Sequence, residues 1–307
     1  MVTAYAPASI ANVSCGFDVL GLAVDAPGDE VSVQFNDIGE VRIVEITGDD
    51  GKLPFEVEKN TASKAVLSLV NHLQYKKGID IIIHKKMPFG SGLGSSAASA
   101  VAAVVAANHL MGMPLTKKEL VDFAIDGEAV ASGAHHADNV APCLLGGIVL
   151  IRAYNPLDII ELPVPENLYT TVVHPHVEIL TKEARGILPK EVSMKAAITQ
   201  TGNLAGFIAG LYQDDLALLG RSMVDILAEP YRSSLIPEFQ NVRNAAMYAG
   251  AFAFGISGSG PSMFAFSDNA SKAEQVADLM EKTLTTKGID CKVYVSKINK
   301  KGASVMW

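Results

Sequence analysis

Residues 88–98 form a glycine-rich stretch whose residue types suit the binding of phosphate. The stretch reads Pro88, Phe89, Gly90, Ser91, Gly92, Leu93, Gly94, Ser95, Ser96, Ala97 and Ala98. Glycine lets backbone N–H groups approach an anion without interference from a Cβ atom. The apolar residues 97–111 predict a buried helix, and the N-terminus of a helix attracts negative charge. The alternative is a turn that only reverses the chain, but the alternating glycines followed by two serines favour a phosphate site.

Glu128 is a candidate ligand for Mg²⁺. A lone glutamate is usually a solvated surface residue, but this one is flanked by small and apolar residues. Magnesium prefers carboxylate and hydroxyl oxygens, with phosphates and waters completing its octahedron. The pattern predicts that Glu128 follows a helix at residues 117–127, for which Thr116 and Glu119 have capping-box spacing.

A polar cluster at residues 135–142 contains His135, His136, Asp138 and Asn139. Two histidines and an aspartate could be considered as zinc ligands. Adjacent histidines, however, point to opposite sides of an extended chain, and no cysteine pair or His-Glu-x-x-His pattern supports a metal. The residues of this cluster therefore give the zinc interpretation little support.

Further polar residues lie far from these in the sequence. Asn12 and Asp18 stand in a loop of small residues, where turn formation and ligand binding are both open interpretations. Arg185 and Arg232 are of a type common on surfaces. The planar fork of arginine can, however, hold a carboxylate through two hydrogen bonds.

Hydrophobic patterning predicts the strands and helices that must position these residues. We predict strands at residues 3–6, 31–35, 41–46, 79–84, 146–151, 169–173, 251–256, 262–266 and 291–296, and helices at 60–73, 97–111, 117–127, 242–249 and 271–286. The strands at 31–35 and 41–46 are expected to form a hairpin, and residues 153–165 to cross between lobes. A glycine-rich turn at 257–261 predicts a second hairpin, and Ser271 with Glu274 predicts a capping box.

Length and composition limit the classes of protein. The chain has 307 residues, 49% hydrophobic and 19% charged, which is typical of an ordered protein of one large or two closely joined domains. A net charge of −8 without a dense basic cluster argues against nucleic acid or a membrane as the main partner. Three widely spaced cysteines do not suggest a disulfide framework. Without a signal-peptide pattern or a long apolar run, we expect a soluble, cytoplasmic protein.

The glycine-rich stretch resembles the phosphate loop of the GHMP kinases. It matches the pattern Pro-x-x-x-Gly-Leu-Gly-Ser-Ser-Ala throughout. A Walker A loop would need a lysine after Gly94, and a dinucleotide fingerprint would need a glycine in place of Ser95. Within the family, Ser-x-Ala-Asn and Gly-Phe-Asp at residues 9–18 and His-Ala-Asp-Asn-Val-Ala-Pro at residues 136–142 resemble the homoserine kinases.

The resemblance implies a fold and an activity. The fold would be α+β and two-lobed, with an ATP-binding, ribosomal protein S5 domain 2-like lobe at residues 1–155 and a ferredoxin-like lobe at 156–307. The activity would be transfer of the γ-phosphoryl group of Mg·ATP to the side-chain hydroxyl of L-homoserine, in threonine biosynthesis, by a homodimer. The alternatives are a related kinase of a mevalonate-like or sugar alcohol, whose substrate would lack an ammonium group, and a catalytically silent paralogue that acts as a binding module.

The resemblance also implies roles at the nucleotide end of a site. The glycine-rich stretch would hold the phosphates of ATP, and Ser96 would join Glu128 in holding Mg²⁺. Asn60 and Thr61 would hold the adenine ring. Asn60 could equally be the N-cap of the helix that follows it.

At the substrate end, the resemblance places Asn12, Asp18, His136 and Asn139 beside the substrate. Asp18 would meet its ammonium group, and Arg185 and Arg232 its carboxylate. Asn139 and Arg185 are expected close to the reacting groups. Asp138 could be a general base or a structural residue, because a dissociative transition state needs little help from a base.

Overall fold

The computed structural model describes residues 1–133 and 135–307. Its strands are β1 (Val2–Ala11), β2 (Leu20–Asn36), β3 (Val41–Thr47), β4 (Gly78–His84), β5 (Ile148–Tyr154), β6 (Leu157–Leu162), β7 (Tyr169–Pro175), β8 (Ala253–Ile256), β9 (Met263–Ser267), β10 (Cys291–Lys297) and β11 (Ser304–Met306). Its helices are α1 (Thr61–His72), α2 (Ser95–Leu110), α3 (Leu120–Ser132), α4 (Val140–Leu145), α5 (Thr181–Gly186), α6 (Met194–Gln213), α7 (Leu216–Ser222), α8 (Glu229–Arg232), α9 (Phe239–Tyr248) and α10 (Ala270–Thr285). The mixture of helices and strands confirms the α+β class.

The strands of the described residues form two sheets. The larger has seven strands in the order β11-β1-β2-β4-β3, with β5 added beside β2 and β6 beside β5. The smaller has four antiparallel strands in the order β10-β7-β9-β8. The larger sheet thus includes the C-terminal strand β11. The predicted boundary of the two lobes, between residues 155 and 156, stays a prediction.

The predicted hairpin of residues 31–35 and 41–46 is wrong. The strand β4 lies between β2 and β3 and pairs antiparallel with β2 and parallel with β3. The order β3, α1, β4 along the chain explains this pairing, because a helical crossover brings two strands together in parallel. The prediction at residues 153–165 is wrong in part, since residues 157–162 form β6, which pairs antiparallel with β5 in the larger sheet, and only the residues after β6 lead to β7 of the smaller sheet.

Two helix ends also differ from prediction. Helix α3 continues to Ser132, so Glu128 lies inside it and does not follow it. The capping contacts of Thr116 and Glu119 do form, with the Thr116 backbone N–H donating to the Glu119 carboxylate at 2.7 Å. Helix α10 is capped by Asn269, whose side chain accepts from the backbone N–H of Lys272, and not by Ser271.

Helix α2 is the centre of the larger core. Its residues 97–108 are buried without a polar face, because α2 packs on β1 and β2 and against α1, α3 and α4. Small alanine and valine side chains allow this close approach on every side. This packing fixes the N-terminus of α2, and with it the glycine-rich loop, over the end of the sheet.

No helix in the described ranges is long and apolar enough to span a bilayer.

Candidate active site

A cavity of about 510 Å³ gathers nearly all of the predicted site residues. Its lining includes Asn12, Asp18, Asn60, Thr61, Phe89, Gly90, Ser91, Gly92, Gly94, Ser95, Ser96, Glu128, His136, Asp138, Asn139, Arg185 and Arg232. Four members of the glycine-rich stretch do not line it: Leu93, Ala97 and Ala98 are buried in the core, and Pro88 lies at the start of the loop. Segments far apart in the sequence therefore meet around a space large enough for small ligands.

The glycine-rich loop leads directly into α2, which begins at Ser95. Gly90, Gly92 and Gly94 have φ values of 57°, 74° and 67°, a left-handed conformation that glycine adopts without strain. The unpaired backbone N–H groups of the first turn of α2 thus begin at the cavity, as an anion site requires.

Packing also requires glycine at two of these positions, because a Cβ atom there would collide with neighbouring atoms. A Cβ atom at Gly92 would lie 2.5 Å from the carbonyl oxygen of Ser257 and 2.7 Å from that of Gly260. At Gly94 it would lie 2.2 Å from Ser9 Oγ and 2.8 Å from Asn139 Oδ1. The glycine-rich loop is therefore in contact with neighbouring segments on both sides, and any larger residue would displace them.

The predicted hairpin around residues 257–261 is confirmed, and it packs beside the loop. Strands β8 and β9 pair antiparallel on either side of the turn. The Ser257 hydroxyl donates to the Gly92 carbonyl at 2.6 Å, and the Ser262 backbone N–H donates to the Ser91 carbonyl at 3.2 Å. The hairpin thus supports the glycine-rich loop from the smaller sheet.

Lys85 is a cavity residue that the sequence analysis did not identify. Its buried ammonium pairs with the Asp29 carboxylate and donates to Ser95 Oγ at 2.5 Å and to Ser99 Oγ at 2.8 Å. Because Asp29 neutralises this ammonium, the pair adds no net charge and instead holds Ser95 and Ser99 in place at the start of α2. The position of Lys85 directly after β4 and just before the glycine-rich loop was the available signal, but a lysine at the end of a strand is usually solvated.

Glu128 and Ser96 lie together at the cavity. Burial raises the pKa of the Glu128 carboxyl to about 7, and a hydrogen bond with the Ser96 side chain acts in the opposite direction. In the described part of the chain, no three His, Cys, Asp or Glu side chains are grouped to hold a metal ion. A magnesium ion here would therefore have one carboxylate and one hydroxyl from the protein, which fits its preference for completing its shell with phosphates and waters.

Asn60 is the N-cap of α1, as the alternative interpretation held. Its Oδ1 accepts from the Ala62 backbone N–H at 3.0 Å, and its Nδ2 donates to the Pro54 carbonyl at 3.0 Å. Thr61 donates from its hydroxyl to the Ser96 carbonyl at 3.3 Å. Both residues line the cavity, and their contact with adenine stays a prediction.

A second part of the cavity lining carries charges of both signs. Arg185 Nη2 donates to Asp18 Oδ1 at 2.8 Å, and Nη1 donates to Oδ2 at 3.1 Å, so the two predicted substrate ligands pair with each other here. Arg232 is buried and donates to the carbonyls of Ala184 at 3.1 Å and Gly258 at 2.8 Å. Both guanidinium groups lie over the Phe17 ring, at 5.6 Å and 5.2 Å from its centre.

Three residues of the segment 136–139 also line the cavity, namely His136, Asp138 and Asn139. Burial and the charge of Asp18 raise the pKa of Asp138 to about 7, while hydrogen bonds from its own and the Asn139 backbone N–H oppose that rise. The Ser9 hydroxyl donates to Asn139 Oδ1 at 2.8 Å and orients that amide. His136 Nε2 is buried and has no hydrogen-bond partner among the described residues, which suits an atom that meets a polar ligand.

Comparisons with known proteins identify the family. Residues 60–147 match the GHMP kinases N terminal domain, and residues 207–285 match the GHMP kinases C terminal domain. A homoserine kinase of Chlorobium phaeobacteroides (strain BS1) is 50% identical, with 99% of each chain covered. A crystal structure of homoserine kinase from Cytophaga hutchinsonii superposes with a TM-score of 0.97 at 53% identity, covering 99% of this chain and 97% of that one.

A more distant structure supports the same fold. The mevalonate kinase of Methanococcus jannaschii has a TM-score of 0.71 at 14% identity, with 96% of this chain and 98% of that chain covered. At that identity the likeness concerns the fold alone. The chain matches the N-terminal and the C-terminal domain of the family in that order. The relative that it matches over nearly the full length of both chains is named a homoserine kinase. The chain is therefore a member of the GHMP kinase family, in its homoserine kinase branch.

Proposed function

We propose that this protein transfers the γ-phosphoryl group of ATP to the side-chain hydroxyl of L-homoserine and so forms O-phospho-L-homoserine for threonine biosynthesis. One observation carries the proposal: a single cavity joins a glycine-rich loop at a helix N-terminus to a group of one carboxylate and two guanidinium ions. Phosphate suits the first end, and an amino acid zwitterion suits the second. The 50% identity with a homoserine kinase over the full length supports this assignment.

The ion pair of Asp18 and Arg185 suits exchange with a zwitterion. A bound ammonium group would take the place of Arg185 beside Asp18, while the substrate carboxylate would engage Arg185 and Arg232. Each charge would then keep an opposite partner, so that the cost of separating the pair is offset. Phe17, under both guanidinium groups, keeps them close together.

His136 and Asn139 line the same cavity and are proposed to contact the homoserine side chain. The partnerless Nε2 of His136 supplies a hydrogen-bonding atom at the cavity. Asn139 is held by Ser9 and is next to Gly94 of the glycine-rich loop. An amide in that place can orient a hydroxyl toward the phosphoryl group without removing its proton.

At the nucleotide end, the phosphates are proposed to bind the N–H groups of the glycine-rich loop and the first turn of α2, where the ion pair of Lys85 and Asp29 holds Ser95 in place. Asn60 and Thr61 are proposed to lie beside the adenine ring. Glu128 and Ser96 are proposed to hold Mg²⁺, which when bound neutralises charge on the phosphate oxygens. The protein itself orients the two substrates and excludes water.

Asp138 is proposed to be mainly structural. Its carboxylate accepts backbone N–H groups at the start of α4, which orders the segment that presents Asn139. A pKa of about 7 would also permit proton transfer, but positioning and charge neutralisation supply most of the acceleration in phosphoryl transfer.

The homodimer and the cytoplasmic location are proposals that rest on family resemblance. Light scattering at several protein concentrations tests the first, and fractionation of cells tests the second. A concentration-independent monomer would contradict the dimer.

The activity is tested by coupling ADP release to a spectrophotometric readout with L-homoserine, mevalonate and galactose as separate acceptors. We expect saturable turnover with L-homoserine and only background with the other two. Turnover that favours mevalonate or galactose would point to the related kinases. No turnover with any acceptor, from a protein that binds ATP, would point to a binding module.

A further inference from the structure

The loop between β1 and β2 is strained. Asn12, Val13, Ser14 and Asp18 have φ values of 70°, 44°, 56° and 59°, although none of them is glycine. The left-handed region is unfavourable for such residues, most of all for a β-branched valine. Backbone of this kind persists only when the surrounding structure holds it, and it is common at functional sites. The same loop presents Asp18 to the cavity.

Gln200 of α6 holds this loop from outside the cavity. Its buried carboxamide donates from Nε2 to the Cys15 carbonyl at 2.8 Å. Its Oε1 accepts from the Ile226 backbone N–H at 3.1 Å. The carbonyl requires a donor and the N–H requires an acceptor, so the two neighbours fix the orientation of the amide.

A hydrogen-bonded turn and the short helix α8 connect Ile226 to Arg232. The carboxylate of Asp225 accepts from the backbone N–H groups of Leu227 at 2.7 Å, Ala228 at 3.0 Å and Glu229 at 2.9 Å. These bonds fix the start of α8, and α8 ends at Arg232. Gln200 therefore joins the loop that presents Asp18 to the segment that presents Arg232.

We propose that Gln200 is a positioning residue for the amino acid subsite: its carboxamide sets the separation between Asp18 and Arg232, and so fits that subsite to one zwitterion. The inference rests on the proposed function, because it takes these two residues as the ligands of the ammonium and carboxylate groups. Gln200 itself is not in the cavity lining. Its effect must therefore appear in the binding of the amino acid and not in that of ATP.

Two variants test the role. Gln200→Glu keeps the shape and the acceptor for Ile226 but places an oxygen against the Cys15 carbonyl, and Gln200→Leu removes both bonds. The matched control is Thr201→Ala, the neighbouring residue on the exposed side of α6, whose hydroxyl donates to the Ala197 carbonyl of its own helix at 2.8 Å.

We expect both Gln200 variants to raise the KM for L-homoserine by roughly tenfold, as the loss of one or two hydrogen bonds implies, with the KM for ATP unchanged. The control should match the wild type. A variant that only destabilised the fold would lower the amount of active enzyme and leave both KM values as they were. Unchanged KM values for L-homoserine in both variants would overturn the inference.

Hydrogen exchange provides a readout that needs no activity. In Gln200→Leu we expect faster exchange in peptides covering residues 12–18 and 224–232, with the remainder of the protein as in the wild type. Faster exchange everywhere, or nowhere, would overturn the inference. A wild type that leaves L-homoserine unphosphorylated would instead overturn the proposed function, and the exchange pattern would then decide separately whether Gln200 holds the two segments.

Discussion

Arg185 and Arg232 face the same end of the cavity but differ in burial. We expect Arg185→Ala or Arg232→Ala to raise the KM for L-homoserine roughly ten- to a hundredfold, since a hydrogen bond to a charged group is worth about 1.5–3 kcal/mol. The KM for ATP should stay near normal in both. Steady-state kinetics with each substrate varied in turn measures the two constants.

Thermal unfolding separates the two arginines further. Arg232 is 3% exposed and bonds to two carbonyls, so its loss should also lower the melting temperature, whereas loss of the more exposed Arg185 should not. Arg42→Ala is the control for the two KM values, because Arg42 pairs with Asp80 and does not line the cavity. A defect in ATP use in place of L-homoserine use would show that the arginines bind the nucleotide.

Glu128 is the residue on which magnesium binding depends in this account. We expect Glu128→Gln to lower kcat by at least roughly ten- to a hundredfold, the loss typical even for residues that only support a metal ligand. The affinity for ATP, measured by calorimetry, should change little. The control Glu274→Gln alters an exposed carboxylate on α10. Normal turnover of Glu128→Gln at ordinary magnesium concentrations would exclude Glu128 as a ligand.

Asp138 distinguishes a structural carboxylate from a general base. Asp138→Asn keeps the size of the side chain and removes its basicity. We expect a loss in kcat of less than about a hundredfold, because general-base assistance typically contributes ~10²–10⁴-fold. A larger loss, with L-homoserine affinity and circular dichroism unchanged, would identify Asp138 as the base.

At the scale of elements, the glycine-rich loop depends on the hairpin between β8 and β9. Gly92→Ala would push a methyl group against the Ser257 and Gly260 carbonyls and separate the two. We expect ATP affinity to fall by more than about tenfold, because the loop loses the support that orients its N–H groups.

The control for that prediction is Gly112→Ala. Gly112 also has a positive φ, 88°, but nothing lies within 4 Å of a Cβ atom there. Both variants share the cost of a left-handed alanine, and only Gly92→Ala adds the collision. Equal ATP affinity in the two variants would show that contact with the hairpin does not support the loop.

The elements could be predicted where the local pattern decides the structure. The apolar run after Ser96 could only be a buried helix, and the glycine-rich turn at 257–261 could only reverse the chain. The pairing of β3 could not be read from its own residues, because it depends on α1 returning the chain in parallel. No sequence motif marks helix α6. Its residue Gln200 matters because it bonds to Cys15 and Ile226, which are distant from it in the sequence.

At the scale of the whole molecule, buried carboxyls link stability to pH. Burial raises the pKa of Glu229 to about 7, despite its ion pair with Arg243 at 2.8 Å. In the unfolded chain a glutamate ionises near pH 4, so between pH 5 and 7 the native state holds a proton that the unfolded state has lost. The free energy of unfolding attributable to this group therefore falls as pH rises.

Glu229→Gln measures that contribution. Burial lowers the pKa of His174 to about 4 and thereby acts with the opposite sign, so the variant must be compared with the wild type at each pH. Urea unfolding should show that the variant gains stability relative to the wild type from pH 5 to 7, with the difference constant above about pH 8. A difference that does not vary with pH would contradict the raised pKa.

The site as a whole could be predicted only in part. Its motif residues were identified because glycine-rich and His-Ala-Asp-Asn patterns are specific, and the structure brings them around one cavity. Lys85 was missed, and Phe17 was noted within Gly-Phe-Asp but given no role, because a lysine after a strand and a phenylalanine in a loop have ordinary roles more often. The ion pair between Asp18 and Arg185 was not foreseen either, since pairing across 167 positions depends on the fold.

The central claim is that one cavity holds a phosphate donor and a zwitterionic acceptor. Its most direct test compares kcat/KM for L-homoserine with that for 4-hydroxybutanoate, which lacks the ammonium group, and for 3-aminopropan-1-ol, which lacks the carboxylate. The account predicts that each analogue loses at least roughly tenfold, because neither can supply an opposite charge to both members of the Asp18–Arg185 ion pair that the substrate would separate. Equal kcat/KM for L-homoserine and either analogue would contradict it.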